Sequence, residues 1–316
     1  MDEEKVNSGI RYALLVPCYN AEQYINQFIE NISALDKLFD EVIFYDDAST
    51  DDTFEKIRLK GFKILKGKLN KGPGYARNAL ANESTCEWFH FHDVDDGLDP
   101  FYLNKVANIV ESKSNLDVVL CNVNWYEAKT KSLLFSWKYS HNLINKNAIA
   151  YTISNPIGGI NGLYRKAKFI ETNGFNTNIR IWEDADFHVK LASKNASFYV
   201  VEEVLSYSLR YPNTASQNQN LGWITRLNLL DEYYNLFSTE PERKAIGIQA
   251  QKVASTFVIS SNIPKAKQAL KLSELCGVKV PYNNSKLWKL VKIILPASGR
   301  VHMRLLQLKF AFRKSS

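Results

Sequence analysis

Cysteine is scarce in this sequence, which has only four in 316 residues. They lie far apart and form no CxxC pair, which argues against a zinc site or a disulfide framework. Internal repeats and low-complexity segments are also missing, while 45% of the residues are hydrophobic, enough for a packed core. We therefore expect a globular protein with reduced thiols, as in a cytosol. The cysteines are Cys18, Cys86, Cys121 and Cys276.

The sequence shows no recognisable leader and no membrane span. Residues 1–5 are largely acidic and lead into a short apolar strand pattern, which differs from a signal peptide. No apolar run approaches the roughly 20 residues that a transmembrane helix needs. We therefore expect a cytoplasmic protein.

Strand patterns alternate with helix patterns along the first part of the chain. This alternation is typical of a parallel α/β sheet, in which ligands bind at the carboxyl ends of the strands. From residue 222 to about 276 the pattern is helical only, which indicates a C-terminal helical appendage. The predicted strands cover residues 11–16, 41–45, 62–65, 88–92, 117–123, 133–139 and 197–210, and the predicted helices cover 21–35, 54–59, 100–112, 146–153 and 182–193. A further helix is predicted to carry residues 75–78, and a short strand and helix are predicted from residue 163 onward.

Three polar loops follow the predicted strands, at residues 17–20, 46–53 and 93–97. In the third, three aspartates precede a glycine, and ionised carboxylates this close need a proton, a basic partner or a divalent cation. Oxygen ligands suit Mg²⁺ or Mn²⁺. A turn followed by a helix start at residues 99–100 explains the same segment, so both interpretations stay open on these residues alone.

The second loop does not match a calcium-binding EF-hand. Counted from Asp47, its sixth position is Asp52, where glycine is needed, and its twelfth is Arg58, where glutamate is needed. Residues 49–51 can cap the following helix. Asp46 and Asp47, at the strand end, could instead accept hydrogen bonds from a pyrimidine or a ribose.

Two further segments carry charged side chains toward the same sheet edge. Lys71 and Arg77 flank a glycine-rich turn and form either a solvated helix face or a diphosphate site, although no Walker loop is present. Residues 182–186 form either an acidic helix start or, beside a tryptophan wall, a proton acceptor. We expect His90 and His92 to be satisfied core groups rather than metal ligands.

Taken in order, these segments resemble the family 2 inverting glycosyltransferases with a GT-A fold, over roughly residues 10–210. The resemblance implies a Rossmann-like, mostly parallel central sheet flanked by helices. It also implies a nucleotide-sugar donor, which we expect to be a UDP-sugar, and a divalent metal cofactor, Mn²⁺ or Mg²⁺. The segments that carry it are Val16-Pro17-Cys18-Tyr19-Asn20, Asp46-Asp47-Ala48-Ser49-Thr50-Asp51, Asn70-Lys71-Gly72 with Ala76-Arg77-Asn78, Asp93-Val94-Asp95-Asp96 and Glu183-Asp184.

Roles for individual residues follow from that resemblance by position. It implies that Asp95 binds the metal, that Asp93 contacts the ribose or the metal's water shell, and that Asp184 is the general base. The donor pocket is implied to contain Pro17, Tyr19 and Asn20 at the base, Asp46 or Asp47 at the uracil or ribose, and Lys71 and Arg77 near the base and diphosphate.

The chain departs from the family pattern in ways that bear on activity. Ala48 stands where glycine is frequent, and histidines replace aliphatic residues on the 88–92 strand. The Gln-x-x-Arg-Trp motif of processive synthases is absent, because residues 219–223 lack the arginine. We therefore predict a single sugar transfer to a glycan or lipid-linked acceptor in surface polysaccharide synthesis. The alternatives are a sugar nucleotidyltransferase, which normally needs a glycine-rich first loop, and a non-catalytic nucleotide- or glycan-binding protein.

We predict a catalytic domain at residues 1–215, with a nucleotide-sugar half at about 10–115 and an acceptor half at about 116–215, and a helical region at 216–316. Acidic residues are absent after Glu274, so the net charge of +7 is a property of the tail and does not indicate nucleic-acid binding. The tail is expected either to pack on the domain or to attach peripherally to the inner face of the membrane.

Overall fold

The structure, a computed structural model, describes residues 9–210 and 219–278 together with Gly299 and Met303. Its internal contacts divide the chain into two compact units, Met1–Ala148 with Ile157–Thr214 and Ile149–Pro156 with Ala215–Ser316. The predicted basic tail after residue 278 lies outside the described residues, apart from Gly299 and Met303.

The first unit is built on one sheet in the order β3-β2-β1-β4-β8-β6-β9-β5, with β7 pairing with β6. Its strands are β1 Tyr12–Cys18, β2 Glu41–Asp46, β3 Lys63–Lys66, β4 Trp88–Phe91, β5 Gly97–Leu98, β6 Val118–Glu127, β7 Leu133–Trp137, β8 Gly162–Arg165 and β9 Phe198–Arg210.

Helices flank the sheet at the positions that the sequence pattern predicts. Those of the first unit are α1 Ile25–Ser33, α2 Thr53–Leu59, α3 Pro73–Glu83, α4 Tyr102–Ser112, α5 His141–Ile144, α7 Lys166–Glu171 and α8 Glu183–Ser193. The short strand β5 and helix α5 were not predicted, since two and four residues are too few to show a period.

The sheet has two differently built parts. Strands β3, β2, β1 and β4 pair in parallel, as their alternation with helices predicts. Strand β8 then pairs antiparallel with both β4 and β6, and β6 pairs antiparallel with β7, which confirms the expected pairing of 133–139 with 117–123. Strand β9 returns parallel to β6. The sheet is therefore parallel from β3 to β4 and mixed beyond β4, where the short β5 also pairs antiparallel with β9.

Apolar periodicity explains how the helices attach to the parallel part. On α1, Ile25, Phe28 and Ile32 are buried at helical spacing, and they pack in the core that also contains Leu14 and Phe44 of β1 and β2. Burying each such side chain contributes about 1.5–3 kcal/mol. This core fixes the strands, and so it fixes the loops at their carboxyl ends.

The second unit is helical within its described residues. It contains most of α6 Ala148–Ser154 and the helices α9 Gln219–Leu236, α10 Glu240–Ile259 and α11 Ile263–Leu275. A capping box between Thr239 and Glu242 starts α10. Buried Arg226 donates a hydrogen bond to the Ile153 carbonyl at 2.7 Å. Among the described helices, none is long and apolar enough to cross a membrane.

Candidate active site

Parallel pairing brings the three predicted polar loops to one edge of the sheet. The end of β1 lies beside the end of β2, with Cys18 in register with Asp46, and the Asp47 amide donates to the Cys18 carbonyl at 2.9 Å. The segment after β4 joins them, because the His92 amide donates to the Leu15 carbonyl at 3.1 Å. The loops at 17–20, 46–53 and 93–97 therefore form one rim.

Side chains brace the first two loops against each other. The Asn20 amide donates to Ser49 Oγ at 2.8 Å, and Asn20 Oδ1 accepts from the Thr50 amide at 2.9 Å. Asn20 has a φ of +48°, a left-handed conformation that asparagine tolerates better than most residues. The Tyr19 side chain stands 51% exposed next to this brace. An open aromatic face beside a fixed loop suits stacking with a planar base.

The two neighbouring aspartates at the end of β2 have different partners. The carboxylate of Asp47 accepts hydrogen bonds from the Lys71 amide at 2.9 Å and the Gly72 amide at 2.7 Å, so it holds the glycine-rich turn. Asp46 is fully buried and accepts from the Ser49 amide at 3.2 Å. Its Oδ2 has no hydrogen-bond partner among the described residues. Asp46 therefore retains an acceptor for a further donor group.

A cation that the sequence analysis missed also contacts the glycine-rich turn. Arg180 donates to the Asn70 side-chain oxygen and to the Asn70 carbonyl, both at 2.8 Å. Its aliphatic stem lies 3.4 Å from the position a Cβ would take on Gly72. Lys71 lies over the Tyr75 ring, 4.2 Å from its centroid. No local pattern could have identified Arg180, since it is 110 residues from its partner.

Arg77 connects the acidic loop after β4 to the start of α8. Its side chain is buried and donates to Asp93 Oδ1 at 2.9 Å and to Glu183 Oε1 at 2.8 Å. Gly159 lies against it, with its Cβ position 3.2 Å from the guanidinium carbon. A guanidinium between two carboxylates locks their separation. The predicted contact of Arg77 with a diphosphate stays a prediction, and two of the guanidinium nitrogens already have protein partners.

The acidic loop after β4 concentrates negative charge. Burial and, after it, the charge of Asp93 together raise the pKa of Asp95 to about 6. Burial, with Asp95 and Asp93, also raises the pKa of Asp96 well above its usual range, although Asp96 Oδ1 accepts from the Leu209 amide at 3.2 Å. The Asp93 side chain is 39% exposed. This donor set fits a hard divalent cation, which relieves such repulsion.

No group of three or more His, Cys, Asp or Glu side chains within the described residues is placed to hold a metal ion. A cation bound by Asp93 and Asp95 would therefore take other ligands as well. Oxygens of a bound diphosphate and water are the usual additional ligands of Mg²⁺.

The predicted base lies in the first turn of α8, after Trp182, which has the left-handed φ of +73°. Burial and the neighbouring Asp184 raise the pKa of Glu183 to about 7, although Arg77 opposes the rise. Burial also raises the pKa of Asp184, and Arg77 opposes it. Asp184 Oδ1 accepts from the Ala185 amide at 2.7 Å. Since Glu183 is paired with Arg77, Asp184 is better placed to take a proton.

The two histidines of the β4 segment are buried, as predicted. His90 Nε2 and His92 Nδ1 are 3.1 Å apart, and His90 Nδ1 is 2.8 Å from the Gly162 carbonyl. Burial lowers the pKa of His92 to about 3 and that of His90 well below its usual range, so both rings are neutral. The expectation that both are satisfied holds for His90, whereas His92 Nε2 has no hydrogen-bond partner among the described residues.

Comparison with known proteins identifies the family. The glycosyl transferase family 2 model matches residues 13–170, and the chain belongs to that family. It is 27% identical over 202 residues to an uncharacterized glycosyltransferase of Haemophilus influenzae. The aligned stretch covers 62% of this chain and 67% of that protein. The protein is therefore a glycosyltransferase.

Solved structures extend the likeness to nearly the whole chain. Residues 1–349 of TarS from S. aureus, in complex with UDP-GlcNAc, align with a TM-score of 0.69 at 20% identity, covering 97% of this chain and 93% of that one. The mannosyltransferase PcManGT of Pyrobaculum calidifontis, with GDP-Man and Mn²⁺, aligns with a TM-score of 0.54 at 15% identity, covering 95% and 88%. At these identities the likeness establishes the GT-A fold.

TarS is a poly(ribitol-phosphate) beta-N-acetylglucosaminyltransferase, and this chain is 32% identical to it over 118 residues. That stretch covers 35% of this chain and 20% of the whole TarS protein.

Proposed function

We propose that the protein transfers one sugar, with inversion, from a UDP-sugar to a glycan or lipid-linked acceptor in surface polysaccharide synthesis, with the help of Mn²⁺ or Mg²⁺. The observation that carries the proposal is the Arg77 bridge between Asp93, on the acidic loop, and Glu183, next to Asp184. It holds the proposed metal residues and the proposed base beside one another, as transfer between a diphosphate and a hydroxyl requires.

The donor is proposed to bind along the rim formed by β1, β2 and the glycine-rich turn. Pro17, Tyr19 and Asn20 would contact the base, with the exposed Tyr19 ring stacking on it. Asp46 has a buried acceptor atom without a partner among the described residues, which suits an imide N–H or a ribose hydroxyl. Asp47 would act mainly by holding the turn that carries Lys71.

The cation is proposed to be bound by Asp95 and Asp93. When bound, it would neutralise charge on the leaving diphosphate. In support, one structural neighbour was solved with GDP-Man and Mn²⁺, and another with UDP-GlcNAc. Lys71 and Arg180, both at the glycine-rich turn, would add positive charge on the donor side.

The chemistry proposed for Asp184 is a single proton transfer. Its carboxylate takes the proton of the acceptor hydroxyl while that oxygen forms a bond to the anomeric carbon. The bond from that carbon to the diphosphate oxygen breaks, and the nucleoside diphosphate leaves. The raised pKa of Asp184 makes it a stronger base than an exposed aspartate.

A thermal-shift screen tests the donor assignment. The purified protein is heated with UDP, GDP, CDP and their common sugar conjugates, each with Mn²⁺ or with EDTA. A ligand at about 100 times its Kd should stabilise the fold by about 2.7 kcal/mol, so UDP with Mn²⁺ is expected to raise Tm most. Stabilisation by GDP alone would overturn the UDP assignment.

Product analysis separates the alternatives. A glycosyltransferase releases the nucleoside diphosphate from its donor, slowly to water and faster when an acceptor is present. A sugar nucleotidyltransferase would release pyrophosphate from a nucleoside triphosphate, and a non-catalytic binding protein would release neither.

We also propose that the basic tail attaches the protein peripherally to the membrane. Flotation with anionic vesicles tests this attachment.

A further inference from the structure

An aromatic face lies on the hairpin formed by β6 and β7. We define it as Trp125, Phe135 and Trp137. Trp125 and Phe135 are cross-strand partners whose rings stack at 5.5 Å and 22°. Trp137 meets Trp125 edge to face at 5.0 Å. The three side chains share one side of the hairpin because residues on a strand alternate between faces.

This face is open to solvent rather than part of the core. Phe135 is 37% exposed, and both tryptophans are half-buried. The opposite side of the hairpin is polar, where Ser136 donates to Asn124 Oδ1 at 2.7 Å. Contiguous exposed apolar patches often mark interaction or ligand-binding sites.

Gly158 lies between the aromatic face and the proposed base, Asp184. A Cβ at Gly158 would lie 3.0 Å from the Trp137 ring, 2.7 Å from Asn161 Oδ1 and 3.7 Å from Asp184 Oδ2. The φ of Gly158 is −81°, so its backbone would accept any residue. Because Gly158 has no side chain, the ring edge of Trp137 and the carboxylate of Asp184 lie on either side of one small space.

Two polar atoms near this space and the aromatic face have no hydrogen-bond partner within the described part of the chain. They are Asn161 Oδ1, an acceptor on a fully buried side chain, and Trp125 Nε1, a donor. Buried polar atoms are nearly always paired. An acceptor and a donor left over near the same aromatic surface suit a ligand that carries several hydroxyl groups.

We propose that the aromatic face is the acceptor subsite, with a pyranose ring of the acceptor against Trp137 and the next sugar toward Trp125 and Phe135. This inference rests on the proposed function. The C–H face of a pyranose is apolar and fits an aromatic ring, while its rim hydroxyls can pair with polar atoms. A ring held at Trp137 places a hydroxyl near Asp184.

Steady-state kinetics of Trp137→Ala and Trp137→Phe test the subsite. The donor is the nucleotide sugar with the largest thermal shift, and the acceptors are methyl glycosides and β-linked tetrasaccharides of glucose, galactose and N-acetylglucosamine. Loss of the ring is expected to raise the acceptor KM about tenfold, and phenylalanine should recover most of it. Donor hydrolysis to water is measured in the same variants, so that loss of the donor site is distinguished from loss of acceptor binding.

Leu134→Ala is the matched control, since Leu134 is 44% exposed on the same strand but outside the aromatic face. The inference is overturned if Trp137→Ala has the acceptor KM of this control. It is also overturned if Trp137→Ala and Leu134→Ala both lose vesicle binding and keep the wild-type acceptor KM, which would make the hairpin a lipid contact. If the wild-type protein neither hydrolyses a donor nor transfers a sugar, the proposed function fails instead.

Discussion

The proposed donor rim and the proposed acceptor side, which is the aromatic face with Gly158 and Asp184, are held by different kinds of contact. At the rim, polar side chains hold the backbone amides of neighbouring loops, as when Asp47 accepts from the amides of Lys71 and Gly72. On the acceptor side, antiparallel strands and aromatic rings make the contacts, as where Trp137 lies against Gly158. The rim residues belong to short polar motifs at strand ends and can be recognised from the sequence, whereas the aromatic face becomes visible only in three dimensions.

The comparison predicts that the two regions can be inactivated separately. Asp184→Asn should lower transfer about 10²- to 10⁴-fold, because the acceptor hydroxyl loses its base, while UDP with Mn²⁺ still raises Tm. Asp95→Asn should abolish the Mn²⁺-dependent part of that rise. Radiolabelled sugar transfer and thermal shifts measure both variants.

Asp186→Asn is the control for that experiment, since Asp186 lies on the same helix and pairs with Lys190. It should retain transfer. Full activity in Asp184→Asn would contradict the assignment of the base, and the loss of nucleotide binding in that variant would contradict the separation of the two regions.

Arg77 joins the two regions, so its replacement should affect both. Arg77→Met leaves Asp93 and Glu183 without their cation, and breaking a buried pair costs about 3–5 kcal/mol. Because Asp93 is partly exposed, we expect the lower end, about 3 kcal/mol. Arg77→Lys should recover only part of the lost stability, because lysine restores the positive charge but cannot donate to both carboxylates with the forked geometry of a guanidinium group. Urea denaturation followed by fluorescence measures the change.

Arg58→Met provides the matched comparison for that measurement. Arg58 pairs with Glu55 on an exposed helix face, and such surface pairs contribute about 0–1 kcal/mol. If Arg77→Met lowered the free energy of unfolding no more than Arg58→Met, the bridge from Arg77 to Asp93 and Glu183 would not hold the two regions together.

The sequence was sufficient for the parallel part of the fold. The sequence of β1 and β2 is apolar and that of the β4 segment alternates aromatic and polar residues, and each of these three strands is followed by a polar loop. Parallel pairing forces those loops to one edge. The edge location of the 17–20, 46–53 and 93–97 loops could therefore be predicted without knowing any contact. The helical pattern after residue 222 is equally local, and it appears as α9, α10 and α11.

Long-range partners could not be predicted, because charge and spacing do not specify them. Arg77 was expected at a diphosphate, and its partnership with Glu183, 106 residues away, has no local signal. Asp46 and Asp47 were interchangeable in the sequence, and only the contacts with residues 71–72 distinguish them. The aromatic face was likewise invisible, since alternating aromatic residues on a strand usually indicate core packing.

Stability should depend on pH through the acidic loop of the rim when no metal is bound. The folded pKa of Asp95, about 6, lies above its ordinary value of 3.8, so the folded state holds this proton more tightly. Stability from this group is therefore lost as pH rises between those values. In EDTA, Asp95→Asn should gain Tm relative to wild type at about pH 7 but not at about pH 4. An equal Tm difference between Asp95→Asn and wild type at both pH values would contradict the raised pKa of Asp95. Adding Mn²⁺ should reduce the Tm gain of Asp95→Asn at neutral pH.

The smallest expected effect concerns the loop that departs from the family pattern. Ala48 has a φ of +63°, a left-handed conformation that costs a residue with a Cβ about 1–2 kcal/mol. Glycine avoids this cost but loses about 0.5–1 kcal/mol of backbone freedom, so Ala48→Gly should stabilise the protein by about 0.5–1 kcal/mol. Ala79→Gly, within α3, should destabilise it by about 1 kcal/mol.

The same substitution tests whether the rim is held by its side chains. The bonds that fix this loop come from Asn20, Ser49 and Asp46, none of which depends on the side chain at position 48. Nucleotide affinity should therefore be unchanged in Ala48→Gly, although the loop gains backbone freedom. A Kd for UDP that weakens more than about threefold, measured by isothermal titration calorimetry with Mn²⁺, would mean that the strained alanine itself shapes the pocket.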